Sequence, residues 1–418
     1  MKFHWFAQQY YTKLPPNATE NVRSAWVTPP TAMADPEQIG RDYKMYLRLM
    51  QGADRLGWDG LLLNEHHQTW HAMTPSPNLL ASILATTTET SAIAICGNSL
   101  ALYNPPQRVA EELAMLDCLS GGRLIAGMVF GTPMDSAFSY GTPPAELRER
   151  FHEARELILR AWAADEPFSF NGNYTKLRYV NTWPRPVQEN VPIWIPGSGS
   201  LETWDLVNEC DYCYGYLSFS GKQAAEPIVK GFWDHTEKAG ANLNPHRMAF
   251  TQIICCADTD AEAEDLYYDS IKYWHQQNPV PLEFATPPGF MSQASYRESL
   301  RRSKSQSAEQ RRKALRGELS FWEYDELGYI IAGSPERVEQ RVRELATDLR
   351  LGQLITCMHL GDLPEETAAM NTELFGTKVI PKLRDLWSEY EDRWTPKISQ
   401  AKVAEFAARQ AAAASVRS

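Results

Sequence analysis

The sequence predicts a (β/α)8 barrel, the TIM barrel of the α/β class, with insertions after strands 1 and 7. Three observations support this prediction. Several short runs are apolar almost throughout, as in strands of a parallel sheet that helices cover on both sides. Helical patterns separate these runs, and the alternation of strand and helix repeats eight times. A doubly wound open sheet is built from the same alternating units and is the alternative.

Eight apolar runs are the strand candidates, and helical patterns separate them. The strands are predicted at residues 2–8, 59–64, 92–98, 124–130, 192–197, 211–217, 249–256 and 354–360. The helices are predicted at residues 35–57, 105–122, 144–166, 200–210, 224–240 and 334–352. The first helix has the clearest boundaries, because Asp35 suits the N-cap, Pro36 suits the first turn and Gly57 ends the pattern. Ser334 and Pro335 repeat this start signal.

The chain is predicted to form one domain over residues 1–395, followed by an alanine-rich tail at 396–418. Residues 10–35 form a long, proline-marked connection after the first strand. Residues 276–324, between strands 7 and 8, are proline-rich at first and then basic, and they form a variable insertion. Insertions of this length after barrel strands tend to cover the mouth of the active site.

Composition and charge exclude several classes of partner. The formal net charge of −11 argues against nucleic acid and anionic membranes, which require a basic surface. No stretch approaches the roughly 20 apolar residues of a membrane helix, and the first residues do not resemble a signal peptide. Seven cysteines in a long chain fit a reducing, cytoplasmic location. Cys210 and Cys213 have the spacing of half a zinc site, but without a second pair they indicate a structural role.

The sequence Glu65-His66-His67 follows the second predicted strand directly. Catalytic groups of (β/α)8 barrels lie at the carboxyl ends of the strands, so these three residues are predicted on the rim of the site. Adjacent residues of a strand point to opposite faces, so only one imidazole is expected to face the ligand. This geometry also weighs against a metal site, because one strand would supply two imidazoles at a spacing of two.

A Gly-Ser-Gly-Ser loop follows the fifth predicted strand and leads into a helix. Glycines let backbone N–H groups approach a ligand, serines donate hydroxyl groups, and the helix N-terminus adds partial positive charge. This combination predicts a phosphate-binding loop at residues 197–200. Arg148, at the start of the helix after the fourth strand, is a candidate for completing it.

Several segments, in order along the chain, resemble the bacterial luciferase-like superfamily of flavin-dependent monooxygenases. They are LGWDGLLLNEHH, GNSLALYNPPQRVAEELAMLDCLSGGRLIAGMVFG, PRPVQENVPIWIPGSGSLETW, AGSPERVEQRV and ELFGTKVIPKLRDLW. The limonene monooxygenase-like branch is the most similar, through HWFAQ, SAWVTPP, PSPNLLA and RYVNTWPRPVQ. The resemblance covers residues 1 to about 387.

The resemblance implies a two-component monooxygenase that binds reduced FMN, with FAD possible, at the carboxyl ends of the strands. Molecular oxygen would add to the flavin and give a peroxide that oxygenates a small apolar substrate. A separate NAD(P)H-dependent flavin reductase would supply the reduced flavin, and a homo-oligomer, dimer or tetramer, is expected. The chain opens without a Gly-x-Gly-x-x-Gly unit, in agreement with this division of labour.

The resemblance also implies roles for individual residues. His66 matches the catalytic histidine beside the flavin, where an imidazole would hold the oxygenating species or transfer a proton. The implied cofactor-binding residues are Gly97 and Asn98 at the ring edge, Tyr140 beside the cofactor, and Arg148, Gly197, Ser198, Gly199 and Ser200 at the phosphate.

Two departures from luciferase concern the substrate. Val129 and Phe130 stand where luciferase has a reactive cysteine and an arginine, which argues against aldehyde chemistry. With Trp5 and Phe6 predicted on the same rim, a terpene, a ketone or an aromatic substrate is favoured. Three other hypotheses remain: a deazaflavin-dependent oxidoreductase of the same superfamily, a metal-dependent hydrolase using His66 and His359, and a non-catalytic flavin-binding barrel.

Overall fold

The computed structural model describes residues 1–15, 17–20, 22–217, 219–302 and 308–417, and eight parallel strands of it close into a barrel. The predicted (β/α)8 class is therefore confirmed. The barrel order is β1-β2-β3-β4-β7-β8-β9-β11, with β11 paired to β1. The strands are β1 Lys2–Ala7, β2 Gly60–Leu63, β3 Ala92–Ser99, β4 Leu124–Val129, β5 Phe168–Asn171, β6 Lys176–Val180, β7 Ile193–Gly197, β8 Cys213–Tyr216, β9 Met248–Cys256, β10 Ile330–Gly333 and β11 Gln353–His359.

The helices cover the outside of the barrel and fill the insertions. They are α1 Pro36–Arg55, α2 Pro77–Thr87, α3 Gln107–Ser120, α4 Leu147–Ala163, α5 Leu201–Glu209, α6 Lys222–Lys238, α7 Asp260–Gln276, α8 Leu282–Ala285, α9 Gln293–Arg302, α10 Ala308–Leu315, α11 Phe321–Glu326, α12 Pro335–Asp348, α13 Glu365–Leu374, α14 Ile380–Leu383 and α15 Lys397–Arg417. A π-helical segment, Met134–Ser139, follows β4. Among the described residues, no helix combines the length and apolar character needed to cross a bilayer.

Each of the eight predicted strands overlaps one barrel strand, because strands buried on both faces give continuous apolar runs. Three strands were not predicted. The β5–β6 hairpin is antiparallel and lies outside the barrel, and most residues of β6 are not buried, so no apolar run marks it. Strand β10 has only four residues, pairs with the end of β9 and lies directly before the predicted helix start at Ser334.

The predicted start of α1 is confirmed in detail. The Asp35 carboxylate accepts a hydrogen bond from the backbone N–H of Glu37, and Pro36 is the first helical residue. Helix α3 ends where a Gly pair was predicted to stop it. Gly121 there has φ of 67°, in the left-handed region that glycine adopts without steric cost.

Two glycines allow β3 and β4 to approach closely at the barrel mouth. A Cβ on Gly97 would lie 2.5 Å from the carbonyl carbon of Gly127, and a Cβ on Gly127 would overlap the carbonyl oxygen of Ile95. The β3–β4 register shifts between Ile95 and Asn98 at this point. Gly97, a predicted flavin contact, therefore also has a structural reason to lack a side chain.

The two insertions pack against each other. The backbone N–H of Ala25 donates to the carbonyl of Pro279, and the Trp26 indole donates to Asn278 at 3.0 Å. The Trp70 indole, in the loop after β2, donates to the carbonyl of Gln277. The second insertion contains α8 to α11, so it joins the connections that follow β1 and β2.

A buried carboxylate joins both chain termini of the barrel at its amino-terminal end. Asp59, just before β2, accepts a hydrogen bond from the backbone N–H of Phe3 at 2.8 Å and pairs with Arg384 and Lys2. Burial alone would raise the pKa of Asp59, but the charges of Arg384 and Lys2 outweigh burial and lower it to about 2.

This depressed pKa predicts how stability depends on pH. The folded chain binds this proton more weakly than the unfolded chain, so Asp59 should contribute about 2 kcal/mol above pH 4, lost as the pH falls toward 2. In urea unfolding, Asp59→Asn should cost about that much at pH 6 and progressively less below pH 4. The exposed control Asp258→Asn should change the unfolding free energy by no more than about 0.5 kcal/mol. An Asp59→Asn cost independent of pH would contradict the assignment.

Candidate active site

Glu65 is a buried carboxylate that ties the end of β2 to β3. One of its oxygens accepts hydrogen bonds from the Tyr103 hydroxyl at 2.8 Å, from the Asn98 amide at 3.1 Å and from the backbone N–H of Ser99. Its other oxygen lies 3.1 Å from Nε2 of His67. A buried carboxylate is stable only with such partners, so Glu65 fixes the conformation of the loop that carries both imidazoles.

Asp135 holds the same loop from the opposite side. Its Oδ2 lies 2.8 Å from Nδ1 of His66 and accepts a hydrogen bond from the Thr132 hydroxyl at 2.8 Å. Its Oδ1 accepts from the backbone N–H of His67 at 2.7 Å. Strand β2 ends at Leu63, so strand alternation no longer applies at residues 66 and 67, and these contacts decide how the two rings point.

The two imidazoles have different surroundings. Both ring nitrogens of His67 have partners, since Nδ1 lies 3.2 Å from the Tyr140 hydroxyl and Nε2 faces Glu65. His66 is 15% exposed and uses Nδ1 for Asp135, which leaves Nε2 as the nitrogen able to meet a ligand. Tyr140 is itself 54% exposed. Its partial burial, together with the nearby Glu65 and Asp135 charges, raises the pKa of its hydroxyl.

Aromatic rings surround His66 on the side of the insertions. The Trp26 ring meets the His66 ring edge-on, with 4.4 Å between ring centroids, and also lies 4.9 Å from the His71 ring. His71 is fully buried, and burial, with the His66 ring nearby, lowers its pKa to about 3, so it is neutral. An apolar wall of this kind limits the access of water to His66.

Arg148 lies near the end of β4, at the start of α4. Its guanidinium is 4.5 Å from the centroid of the Phe130 ring and 3.8 Å from the Glu202 carboxylate. Its Nη1 is buried without a hydrogen-bond partner. Burial lowers the pKa of Arg148, although the Glu202 charge opposes this. The Phe130 ring, just after the end of β4, thus supports the Arg148 guanidinium.

The predicted phosphate loop connects β7 to α5. Gly197 ends β7, Ser198 is exposed, and Gly199 has φ of 110°, a conformation that glycine adopts most readily. The Ser200 hydroxyl lies 2.7 Å from the Thr203 hydroxyl, and Ser200 is the N-cap of α5. The loop therefore presents small residues at the N-terminus of a helix, as predicted.

The second insertion covers this helix N-terminus. The first amide of α5, Leu201 N–H, donates to the Ser295 hydroxyl at 3.1 Å, and that hydroxyl donates to Glu202 at 2.6 Å. Burial would raise the pKa of Glu202, but hydrogen bonds from Ser292 and Ser295 and the Arg148 charge lower it. The Ser295 oxygen and the Glu202 carboxylate thus partner two groups that could bind an anion, the Leu201 N–H and the Arg148 guanidinium.

The site residues form two groups at one end of the barrel. The imidazole group, at the ends of β2 to β4, contains His66, Asn98 and Tyr140. The anion group, at the ends of β4 and β7, contains Arg148 and residues 197–200. These strands are consecutive neighbours, so three inter-strand spacings of about 4.8 Å separate β2 from β7, about 14 Å in all. An open surface cavity of about 1060 Å³ lies elsewhere, between α4 and the β5–β6 hairpin.

One residue expected at the rim, Trp5, lies elsewhere, and His359, the partner of His66 in the metal-hydrolase hypothesis, is enclosed at the end of β11. The Trp5 indole donates to the Thr372 hydroxyl of α13, so this ring packs under the helix layer, and its prediction as part of an apolar rim was wrong. His359 is buried, and its nitrogens face the Leu363 carbonyl at 2.9 Å and the Tyr46 hydroxyl at 3.4 Å. In the described ranges, no three His, Cys, Asp or Glu side chains are grouped closely enough to bind a metal ion.

Sequence analysis missed Asp135 and Tyr103. Tyr103 lies in a segment that resembles the family but had no role assigned to it. Asp135 lies outside those segments, and 69 residues separate it from His66. The only available signal was position, since Asp135 follows the end of β4 on the same rim. A search for acidic residues after each predicted strand would have included it.

The luciferase-like monooxygenase family profile matches residues 22–350, more than three quarters of the sequence. The chain belongs to the luciferase-like monooxygenase family. Among curated relatives, it is 25% identical over 245 residues to the oxygenase component of the flavin-dependent trigonelline monooxygenase of Acinetobacter baylyi, covering 56% of this chain and 66% of that protein. It is 32% identical over 178 residues to the F420-dependent glucose-6-phosphate dehydrogenase of Kineococcus radiotolerans, covering 41% and 50%. The match spans only part of the curated relatives, and it covers 47% of the length of the first of them.

Solved structures agree on the fold. The monooxygenase RslO1 of Streptomyces bottropensis superposes with a TM-score of 0.65 at 18% identity, covering 91% of this chain and 99% of that one. The oxygenating constituent of 3,6-diketocamphane monooxygenase of Pseudomonas putida, in complex with FMN, gives a TM-score of 0.61 at 19% identity, covering 82% and 94%. At these identities the likeness concerns the fold alone.

The role of Glu65 as an anchor predicts a graded response to substitution. Glu65→Gln keeps an oxygen for Tyr103, Asn98 and Ser99, and its amide can donate to a neutral His67, so unfolding free energy should fall by about 1–2 kcal/mol. Glu65→Leu leaves these buried donors unpaired and should cost about 3–5 kcal/mol.

Urea unfolding measures both variants, with the exposed Glu366→Gln as the control. The control should stay within about 0.5 kcal/mol of the wild type. If Glu65→Leu were within that same margin, Glu65 would not anchor the loop.

Proposed function

We propose that this chain is the oxygenase of a two-component flavin-dependent monooxygenase, which uses reduced FMN and O2 to oxygenate a small apolar organic substrate. The observation that carries the proposal is the position of His66. Its ring is held by Asp135 on the same rim as an arginine and a glycine-serine loop at a helix N-terminus. Such a rim offers a proton-transferring group at one end and an anion site at the other.

The residues present fit a flavin. Asn98 Oδ1 and Arg148 Nη1 are buried polar atoms without hydrogen-bond partners, and buried polar groups are ordinarily satisfied. One lies in the imidazole group and the other in the anion group. Asn98 would accept a hydrogen bond from the ring edge, and Arg148 would pair with the phosphate. Ser198 and Ser200 would add hydroxyl donors.

Reduced flavin, when bound, supplies the electrons that activate O2. The chain's own residues would orient and protect that chemistry. His66 would hold or move a proton at Nε2, because Nδ1 is committed to Asp135. Trp26 and the insertions would exclude water, and His67 would hold Tyr140 at the rim.

FMN is proposed over FAD because the anion group ends at a short loop, and Ser295 of the second insertion closes the helix N-terminus beyond it. The half-buried Phe130 lines this rim and supports an apolar substrate, a terpene, a ketone or an aromatic. A separate NAD(P)H-dependent flavin reductase is proposed because the trigonelline monooxygenase relative is named as an oxygenase component. All seven cysteines are free thiols, which supports a cytoplasmic location.

A deazaflavin-dependent oxidoreductase is the second candidate. It is favoured by the F420-dependent glucose-6-phosphate dehydrogenase relatives, and the fold is shared with an F420-dependent secondary alcohol dehydrogenase at a TM-score of 0.59. That candidate would transfer hydride to or from its substrate without O2.

Anaerobic titration with reduced FMN, reduced riboflavin and reduced F420, followed by an O2 pulse, distinguishes the two candidates. We expect the protein to bind reduced FMN and, after the O2 pulse, to oxygenate limonene or a bicyclic ketone. His66→Ala should lower product formation at least 100-fold while FMN affinity stays within about threefold, since only proton transfer is lost. F420 turnover without O2, with no FMN binding, would favour the second candidate.

The phosphate assignment has its own control within this experiment. Arg148→Ala should weaken reduced FMN about 10-fold or more, and leave reduced riboflavin, which lacks the phosphate, unchanged. Arg160, on the same helix, also lies over an aromatic ring, 4.0 Å from the centroid of Phe168. Arg160→Ala should leave both affinities unchanged. An equal loss for FMN and riboflavin in Arg148→Ala would refute a phosphate contact.

Self-association is proposed through the outer faces of α2 and α3. Leu79 and Ile83 on α2 and Met115 and Leu119 on α3 are between 42% and 69% exposed, and the two helices pack side by side. An apolar face of this kind is typical of a subunit interface. It supports a homo-oligomer, dimer or tetramer.

Sedimentation velocity tests this interface. Leu79→Glu combined with Met115→Glu should convert the oligomer to a monomer, because two charges per chain would be buried without partners. Leu282→Glu, at an apolar residue 73% exposed on α8, should keep the wild-type sedimentation coefficient. An oligomer that persists in the double variant would contradict the assigned face.

A further inference from the structure

We propose that Asp135 is a positioning residue that sets the tautomer and orientation of His66, so that Nε2 is the nitrogen presented to the cofactor. The inference rests on the proposed function, in which His66 acts at the flavin. It adds a residue that no motif of the sequence identifies. The evidence is a set of three hydrogen bonds that converge on one buried carboxylate.

Asp135 lies in the π-helical segment Met134–Ser139 after β4, and its side chain is only 1% exposed. Oδ2 receives Nδ1 of His66 and the hydroxyl of Thr132, each at 2.8 Å. Oδ1 receives the backbone N–H of His67 at 2.7 Å. The segment therefore supplies one carboxylate that accepts from both the His66 ring and the His67 backbone.

A carboxylate accepts hydrogen bonds and donates none, so the proton of a neutral His66 must be on Nδ1. Nε2 is then an acceptor and lies on the side of the ring away from Asp135. The Trp26 ring, edge-on at 4.4 Å, restricts rotation of the imidazole. The tautomer and the ring plane are thus set together, which is the usual effect of a carboxylate behind a functional histidine.

The adjacent imidazole shows why the assignment is specific. His67 has a carboxylate partner as well, but Glu65 faces its Nε2 and Tyr140 faces its Nδ1. Both nitrogens of His67 are occupied within the protein. Of these two neighbours, His66 alone combines a carboxylate on one nitrogen with a partly exposed ring, so Asp135 separates the roles of two neighbouring histidines.

Asparagine cannot replace this carboxylate. Two donors use Oδ2 and a third uses Oδ1, whereas an asparagine offers one oxygen and two N–H donors. In Asp135→Asn, the amide nitrogen must face either the His67 backbone N–H or the His66 and Thr132 pair. The first arrangement opposes two donors, so the second is favoured. The amide then donates to the Thr132 oxygen and to Nδ1 of His66, and the His66 proton moves to Nε2.

The test is ¹⁵N NMR of the histidine rings, with the His66 signals assigned by their disappearance in His66→Gln, since the chain has nine histidines. The neutral wild type should show the Nδ1–H tautomer at His66. Asp135→Asn should shift His66 toward the Nε2–H tautomer and lower oxygenation of limonene or a bicyclic ketone about 10- to 100-fold. Reduced FMN affinity should stay within about threefold.

Asp54 provides the matched control. It is also a buried carboxylate that accepts three hydrogen bonds, from the backbone N–H groups of Glu89, Thr90 and Ser91, but it lies far from the rim at the end of α1. Asp54→Asn should reduce thermal stability by an amount similar to Asp135→Asn and leave the His66 tautomer unchanged. A stability loss shared by both variants therefore cannot explain the tautomer shift.

The outcomes separate this inference from the proposed function. An unchanged Nδ1–H tautomer in folded Asp135→Asn would overturn the positioning role. An Nδ1–H tautomer with wild-type signals in Asp135→Glu supports the positioning role, because this variant keeps the charge and the acceptor oxygens. If the tautomer shifts as expected but His66→Ala keeps full activity, the positioning role holds and the proposed catalytic role of His66 fails.

Discussion

The barrel mouth depends on two buried carboxylates that hold one short loop from opposite sides. Glu65 binds the β3 side through Asn98, Ser99 and Tyr103, and Asp135 binds the β4 side. A buried carboxylate without partners is very unfavourable, so each can exist only if the surrounding donors converge on it. The conformation of residues 65–67 is therefore determined by neighbouring strands as well as by its own sequence.

The two ends of the barrel use buried charge for different purposes. At the amino-terminal end, Asp59 is paired with Arg384 and Lys2, and these contacts join the termini of the barrel. At the carboxyl-terminal end, Asn98 and Arg148 each keep a buried polar atom without a partner. An ion-paired carboxylate at one end, and the His66 loop with Arg148 at the other, agree with the general division of (β/α)8 barrels into a stabilising and a functional face.

The second insertion connects the two groups of the site. It contacts the loop after β1 through Asn278, the loop after β2 through Gln277, and the N-terminus of α5 through Ser295. Three loops that are distant in sequence are thus covered by one segment. Cover over these loops favours chemistry that must exclude water, because electrostatic interactions strengthen as water is removed.

The sequence alone specified the eight barrel strands, the start of α1 and the glycine-serine turn before α5, because each is encoded by residues close together in the chain. Continuous apolar runs mark strands buried on both faces, and Asp35 with Pro36 marks a helix start. The β5–β6 hairpin escaped this reasoning because it is largely exposed. Only the tertiary structure decided which of His66 and His67 is available, and that Trp5 faces α13. Those outcomes depend on contacts across 69 and 367 residues of sequence, and no local pattern encodes a hydrogen bond formed by closure of the barrel.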